Sequence, residues 1–221
     1  MTTGIHEDVL PQLEDITVNP DRPLIITDAD EVLFAFMQGM ELFLEENDLF
    51  FDWASFALHG NIRKKSDQSP LASEKIPSLL DRFFAEYAHR LPAVEGAAEH
   101  LKKLSETAQI VVLSNVPPKY ASLRKEGLVK SGMDFPLIAN IGAKGHVVNY
   151  LTKNLKKPSF FIDDIPTNHG SVRKHAQHVH RLHYIADARL AKLLGPAEHS
   201  TARLDSWPEL HDHIQDIIDK E

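Results

Sequence analysis

Asp28 and Asp30 stand two residues apart at the end of a short apolar run, Leu24-Ile25-Ile26-Thr27. A second acidic pair, Asp163-Asp164, closes another such run, Ser159 to Ile162. Between them in the chain, Ser114 and Asn115 follow Ile110 to Leu113, and Lys144 sits in Gly142-Ala143-Lys144-Gly145 after Leu137-Ile138-Ala139. Short apolar runs bounded by turn residues read as buried strands, and open parallel sheets bind ligands beyond the carboxyl ends of their strands. These groups are therefore expected to converge on one rim. Carboxylates so gathered repel one another and take up protons unless a cation offsets them. A hard divalent ion does this, Mg²⁺ typically using one or two carboxylates together with water and phosphate oxygens. A metal, a nucleophile and positive charge are the parts from which phosphoryl transfer can be built, and this set of carboxylates, hydroxyl and amine can supply them.

The elements that must hold these residues alternate. After Pro92, a helix with Val94, Ala97, Ala98, Leu101 and Leu104 on one side precedes the strand at Ile110, and a helix around Lys119 to Lys130 stops at Gly132. Helices are also expected after Gly145, around Thr167 to Ala176 and over Ser206 to Asp219, with a last strand near Val179 to Ile185. Strands separated by helices point to a parallel sheet covered on both faces. From Phe36 to about Arg90 the pattern turns helical: Phe36, Met40, Phe43 and Leu44 share one face, and Ile76, Leu79, Leu80, Phe83, Phe84 and Tyr87 another, with an aperiodic loop from His59 to Ser73 between them. Residues 1 to 22 read as a polar leader with a short helix near Glu7–Glu14 broken by Pro11.

At this point the chain resembles a known family. Ile25-Ile26-Thr27-Asp28-Ala29-Asp30-Glu31-Val32-Leu33 is similar to the first motif of the haloacid dehalogenase superfamily. Val111-Val112-Leu113-Ser114-Asn115 resembles the second motif, Gly142-Ala143-Lys144-Gly145 the third, and Phe160-Phe161-Ile162-Asp163-Asp164 the fourth in its paired-acid form. Each motif alone is weak, but four in order carry weight. The resemblance implies an α/β fold: a Rossmann-like core with a parallel sheet over residues 23–35 and 91–221, and an inserted α-helical C1 cap over 36–90. It implies that Asp28 attacks phosphorus, that Asp30 protonates the leaving oxygen and then activates water, and that Ser114 hydrogen-bonds a phosphoryl oxygen beside Asn115. It also implies that Lys144 neutralises charge and binds the phosphoryl group, and that Mg²⁺ is held by Asp164 with Asp28 and the main-chain carbonyl of Asp30. Asp163 is a direct or outer ligand in that scheme. Two positions depart from the family pattern: Glu31 stands where glycine is usual, and Asn168 where an acid is common, so Asn168 is expected to orient a metal-bound water.

The expected function is a Mg²⁺-dependent phosphohydrolase acting on a small phosphorylated metabolite through an aspartyl-phosphate. Two alternatives remain open. One is a catalytically retired member that binds a ligand or partner. The other is a 2-haloacid dehalogenase, which Asp30 speaks against because the resemblance implies that dehalogenases lack that second acid. Plainer readings exist for single residues: Asp after a strand is a common turn former or helix cap, and most lysines are solvated. Arg63-Lys64-Lys65 is read as a solvated loop rather than a substrate contact. His175, His178, His180 and His183 lack tight ligand spacing and are read as solvated or edge residues. The cap aromatics are core, with Phe34 and Phe36 available to a pocket.

Composition bounds the rest. A formal net charge of −8 argues against nucleic-acid binding, no cysteine removes disulfides and thiolate metal sites, and no apolar run nears the ~20 residues of a membrane helix. The acidic N-terminus is unlike a secretory signal. A cytoplasmic monomer or homodimer, without membrane attachment, is expected.

Overall fold

The computed structural model describes residues 4–55 and 57–220, so residues 1–3 of the expected leader and residue 221 of the expected core lie outside it. Six parallel strands form the main sheet: β1 (Leu24–Thr27), β4 (Gln109–Ser114), β5 (Leu137–Ala139), β6 (Ser159–Asp163), β7 (His180–His183) and β8 (Ala202–Arg203). Their spatial order is β5-β4-β1-β6-β7-β8. The chain moves outward from β1 through β4 to β5, then returns to the other side of β1 with β6. A crevice opens where the winding reverses, between β1 and β6.

Strand alternation divides the apolar side chains between two cores. Ile25, Ile110, Val112, Phe160 and Ile162 point to one face, where they meet α4 (Ala97–Thr107) and α9 (Trp207–Ile218). Leu24, Ile26, Val111, Leu113 and Phe161 point to the other, against α6 (Gly145–Thr152) and α7 (Pro166–His175). Both faces being covered explains why the strands read as unbroken apolar runs. The remaining core helix after β4 is α5 (Ala121–Lys130).

The leader is less polar than its composition suggests. A 3-10 turn, Glu7–Val9, runs into α1 (Leu10–Glu14), and Val9 and Leu13 are buried in the second core. Pro11 does not break this helix; it occupies the first turn, where the missing N–H has no partner to lose. Gln12 then reaches the outer strand β5, its Nε2 donating to the Ala139 carbonyl at 3.1 Å and its Oε1 accepting from the Ala139 N–H at 2.8 Å.

The inserted segment is not wholly helical. Between α2 (Phe36–Glu46) and α3 (Ile76–Tyr87) lies an antiparallel pair, β2 (Leu49–Phe51) with β3 (Ile62–Lys64), and β3 falls inside the otherwise irregular loop expected from His59 to Ser73. Three-residue strands are too short to show a period of two, and Leu49 pairs with Lys64 across a long connection. The helices meet through aromatic edges: Phe83 lies 5.1 Å from Phe36 and 5.5 Å from Phe43, ring centre to ring centre. The two chain crossings into this segment run side by side, with Ala35 N–H donating to the Pro92 carbonyl at 2.9 Å and Val94 N–H to the Leu33 carbonyl at 2.8 Å.

After β7 the structure adds α8 (Ala188–Leu193) and β8, so β7 is not the last strand. The closing helix α9 starts on Ser206, whose side chain accepts from Glu209 N–H. No described helix is long and apolar enough to cross a membrane.

Candidate active site

The crevice between β1 and β6 gathers the charges. Asp28 follows β1, pinned by its own N–H donating to the Ile162 carbonyl at 2.8 Å, and its Oδ1 accepts from the Ala29 N–H at 2.7 Å. Lys144, at the start of α6, is fully buried, and its Nζ lies 2.9 Å from Asp28 Oδ1 and 2.7 Å from Asp163 Oδ2. Two glycines permit this placement. Gly142 turns the backbone with φ of +83°, and Gly145 lets α6 approach α7 so closely that a β-carbon there would sit 2.3 Å from the Ser171 carbonyl oxygen.

The three carboxylates of Asp28, Asp163 and Asp164 present oxygens within 4.8 Å of one another. Burial, together with Asp163, lifts Asp28 to about 6 although Lys144 opposes the rise. Burial and the neighbouring Asp163 and Asp28 raise Asp164 well above the usual carboxylate range. For Lys144, burial works against the charge, but Asp163 and Asp28 outweigh it and the net shift is upward. Three crowded acids, one ammonium and elevated carboxylate pKa values mark a donor set that a divalent cation would relieve. The acids are not equivalent. Asp163 is saturated, accepting from Lys144, from Ile165 N–H at 2.8 Å and from Asn168 Nδ2 at 3.0 Å, whereas Asp164 accepts no side-chain hydrogen bond among the described residues. The donor set thus fits a cation held by Asp28 and Asp164, with Asp163 as the anchor of Lys144. Asn168, expected to orient a water, donates Nδ2 to both carboxylate oxygens of Asp163, at 3.0 and 3.2 Å, and also reaches the cavity wall.

Two buried histidines stand behind the acidic pair. His169 Nε2 lies 2.9 Å from the Asp163 carbonyl and His183 Nε2 2.9 Å from the Asp164 carbonyl. Since His183 Nδ1 accepts from Ala197 N–H at 3.0 Å, its Nε2 carries the proton and donates. Burial lowers both histidines to about 4, so they are neutral donors. The solvated or edge reading therefore fails for His183: β8 pairs outside β7, and the ring is fully buried against the Asp164 carbonyl, Ala197 N–H and the His169 ring. His178 pairs with Thr152 Oγ1 at 2.9 Å and His175 lies against His146; neither faces the acids.

Asp30 is held by a residue that the sequence did not single out. Arg124 on α5 is fully buried, donates from Nη2 to Asp30 Oδ1 at 2.6 Å, and lies 5.0 Å from the centre of the Phe34 ring. Nothing in the local pattern around Arg124 separates it from a surface arginine. Glu31 adopts φ of +58° and is buried; its carboxylate accepts from Met37 N–H at 2.6 Å and Asp187 N–H at 2.9 Å. Burial carries it to about 7 against those two donors.

A cavity of about 260 Å³ opens over these groups, floored by Asp28, Asp30, Glu31, Asn115, Lys144, Asp164 and Asn168 and roofed by Phe36, Leu58, Leu80 and Phe84. Ser114 is not on its wall. It is fully enclosed, with Oγ accepting from Val116 N–H at 3.2 Å. Asn115 reaches the wall while tying loops together, donating to the Gly142 carbonyl at 3.1 Å and accepting from Asn140 at 2.8 Å. Arg63 pairs with Asp52 at 2.8 Å and Lys65 with Glu45, so this basic run does not enter the cavity.

No protein-family model matches the chain, and no curated protein matches it in sequence. Solved structures do. A haloacid dehalogenase-like hydrolase from Streptococcus pneumoniae superposes with a TM-score of 0.59 at 13% identity, covering 88% of this chain and 99% of its own. A hydrolase of that family from Deinococcus radiodurans, with bound phosphate and sodium, gives 0.56 at 16% identity, covering 90% and 97%. An L-2-haloacid dehalogenase gives 0.58 at 10% identity, covering 88% and 99%. At these identities the likeness speaks for the fold.

Proposed function

Taking as premise that this chain has the haloacid dehalogenase-like fold, we propose that it is a phosphohydrolase that uses Mg²⁺ and a carboxylate nucleophile, Asp28. The observation that carries this reading is the contact of Lys144 Nζ with both Asp28 and Asp163, beside an Asp164 carboxylate that no described residue satisfies. Asp28, Asp164 and the main-chain carbonyl of Asp30 would hold the ion. When bound, it neutralises crowded carboxylates and offers positive charge to phosphoryl oxygens.

The chain's own groups then divide the work. Asp28 attacks phosphorus, forming an O–P bond while the bond to the leaving oxygen breaks. Lys144 keeps Asp28 aligned and offsets phosphoryl charge. Asp30 gives its proton to the leaving oxygen, then takes one from the water that attacks the aspartyl-phosphate, releasing phosphate and regenerating Asp28. Arg124 fixes the orientation of Asp30. His169 and His183 fix the peptide planes of Asp163 and Asp164. Ser114 holds the turn after β4 with its hydroxyl oxygen, which accepts from Val116 N–H, behind the cavity wall. Hydrolysis of an aryl phosphate with and without Mg²⁺ tests the proposal. The expected result is Mg²⁺-dependent turnover reduced at least ~10³-fold in Asp28→Asn, in line with loss of a nucleophile; unchanged turnover in that variant would remove Asp28 from the reaction.

A further inference from the structure

The floor and the roof of the cavity differ in kind. Asp28, Asp30, Glu31 and Asp164 supply four carboxyl groups to its wall, and Lys144 is the one cationic side chain there among the described residues. Lys144 is already committed to Asp28 and Asp163. Cationic residues of the inserted segment are engaged elsewhere: Arg63 with Asp52, Lys65 with Glu45, and Arg82 with Asn47 while lying 5.6 Å from the Phe43 ring centre. Lys64, Lys75 and Arg82 line a separate groove between β3 and α3. What overhangs the acids is hydrocarbon. Phe36, Leu58, Leu80 and Phe84 are each only partly buried although they belong to the apolar cluster, because part of each faces the cavity.

We infer that the substrate is a compact phosphomonoester whose leaving group is uncharged and apolar, seated against Phe36, Leu58, Leu80 and Phe84. This rests on the phosphohydrolase reading and adds the substrate class. A second anion on the substrate would enter a site rich in carboxyl groups with no cation to receive it, and a desolvated charge without a partner is strongly disfavoured. A polyol would lose water from its hydroxyls against carbon, a discrimination that apolar pockets hold to about 10²-fold. At about 260 Å³ the cavity lies just below the usual range for drug-sized ligands, which matches a compact leaving group.

The test compares kcat/KM with Mg²⁺ for butyl phosphate, glycerol 3-phosphate and 3-phosphoglycerate, whose leaving alcohols are alike in reactivity, with phenyl phosphate as a reference. The expected order places butyl phosphate at least ~10-fold above glycerol 3-phosphate and further above 3-phosphoglycerate. In Leu80→Arg, checked for folding by circular dichroism, the ratio of 3-phosphoglycerate to butyl phosphate rises at least ~10-fold. Wild-type preference for 3-phosphoglycerate or glycerol 3-phosphate, with phenyl phosphate still hydrolysed, overturns the substrate class and leaves the phosphohydrolase reading standing. Absence of turnover for all four esters overturns both.

Discussion

Glu31 keeps a left-handed backbone that a glycine would adopt at no steric cost, yet it earns its place through two N–H groups, one from the first turn of α2 and one before α8. Replacing it should separate these effects. Glu31→Ala loses both hydrogen bonds and keeps the strained φ, whereas Glu31→Gly loses the bonds alone, so urea melts should find the alanine variant about 1 kcal/mol less stable than the glycine variant. His183 makes a second residue-scale prediction. Its folded pKa of about 4 lies below the usual 6.5, so the unfolded chain binds more protons between those values, and the contribution to stability falls as pH drops. Asp28 and Glu31, raised to about 6 and about 7, pull the other way over the same range. The histidine is therefore read as a difference: between pH 7 and pH 5, wild type should lose about 2 kcal/mol more than His183→Asn, measured by chemical denaturation at each pH. That Asp28, Asp30, Lys144 and Asp164 converge on one rim was legible in the sequence because a strand end fixes where a residue goes. Arg124, His169 and His183 were not, since their roles depend on which main-chain or acidic partner lies opposite, and that is a tertiary fact.

Elements show the same division. β1, β4 and β6 each present apolar residues on both faces, which is why their runs could be read and their ends trusted. β2, β3 and β8 are two or three residues long and owe their existence to partners far along the chain, so no local pattern announces them. α1 is a sharper instance. A five-residue helix has no stability alone, and it forms because Val9 and Leu13 reach the core beside Leu24 and Ile26. Leu13→Ala should therefore cost about 2–5 kcal/mol in a urea melt, the range for truncating a buried leucine, despite lying in a segment whose composition reads as polar.

Across the whole molecule, the winding order makes the site. Because β1 lies between β4 and β6, the reversal of the chain sets Asp28 against Asp163 and Asp164 while Lys144 arrives from the loop after β5. Acids brought together by the global fold oppose it until a cation arrives, so Mg²⁺ should raise the melting temperature, with about 2.7 kcal/mol gained at a hundred times its dissociation constant. Differential scanning calorimetry of wild type and Asp164→Asn checks this without reference to turnover: the rise should vanish in the variant. The outer margin of the sheet carries a different consequence. At Ala139 both the main-chain donor and the main-chain acceptor of β5 are occupied by one side-chain amide, that of Gln12. A single glutamine thereby behaves as a one-residue selvedge: it finishes the border of the fabric at Ala139, where no loose thread of main chain is left from which to extend the weave.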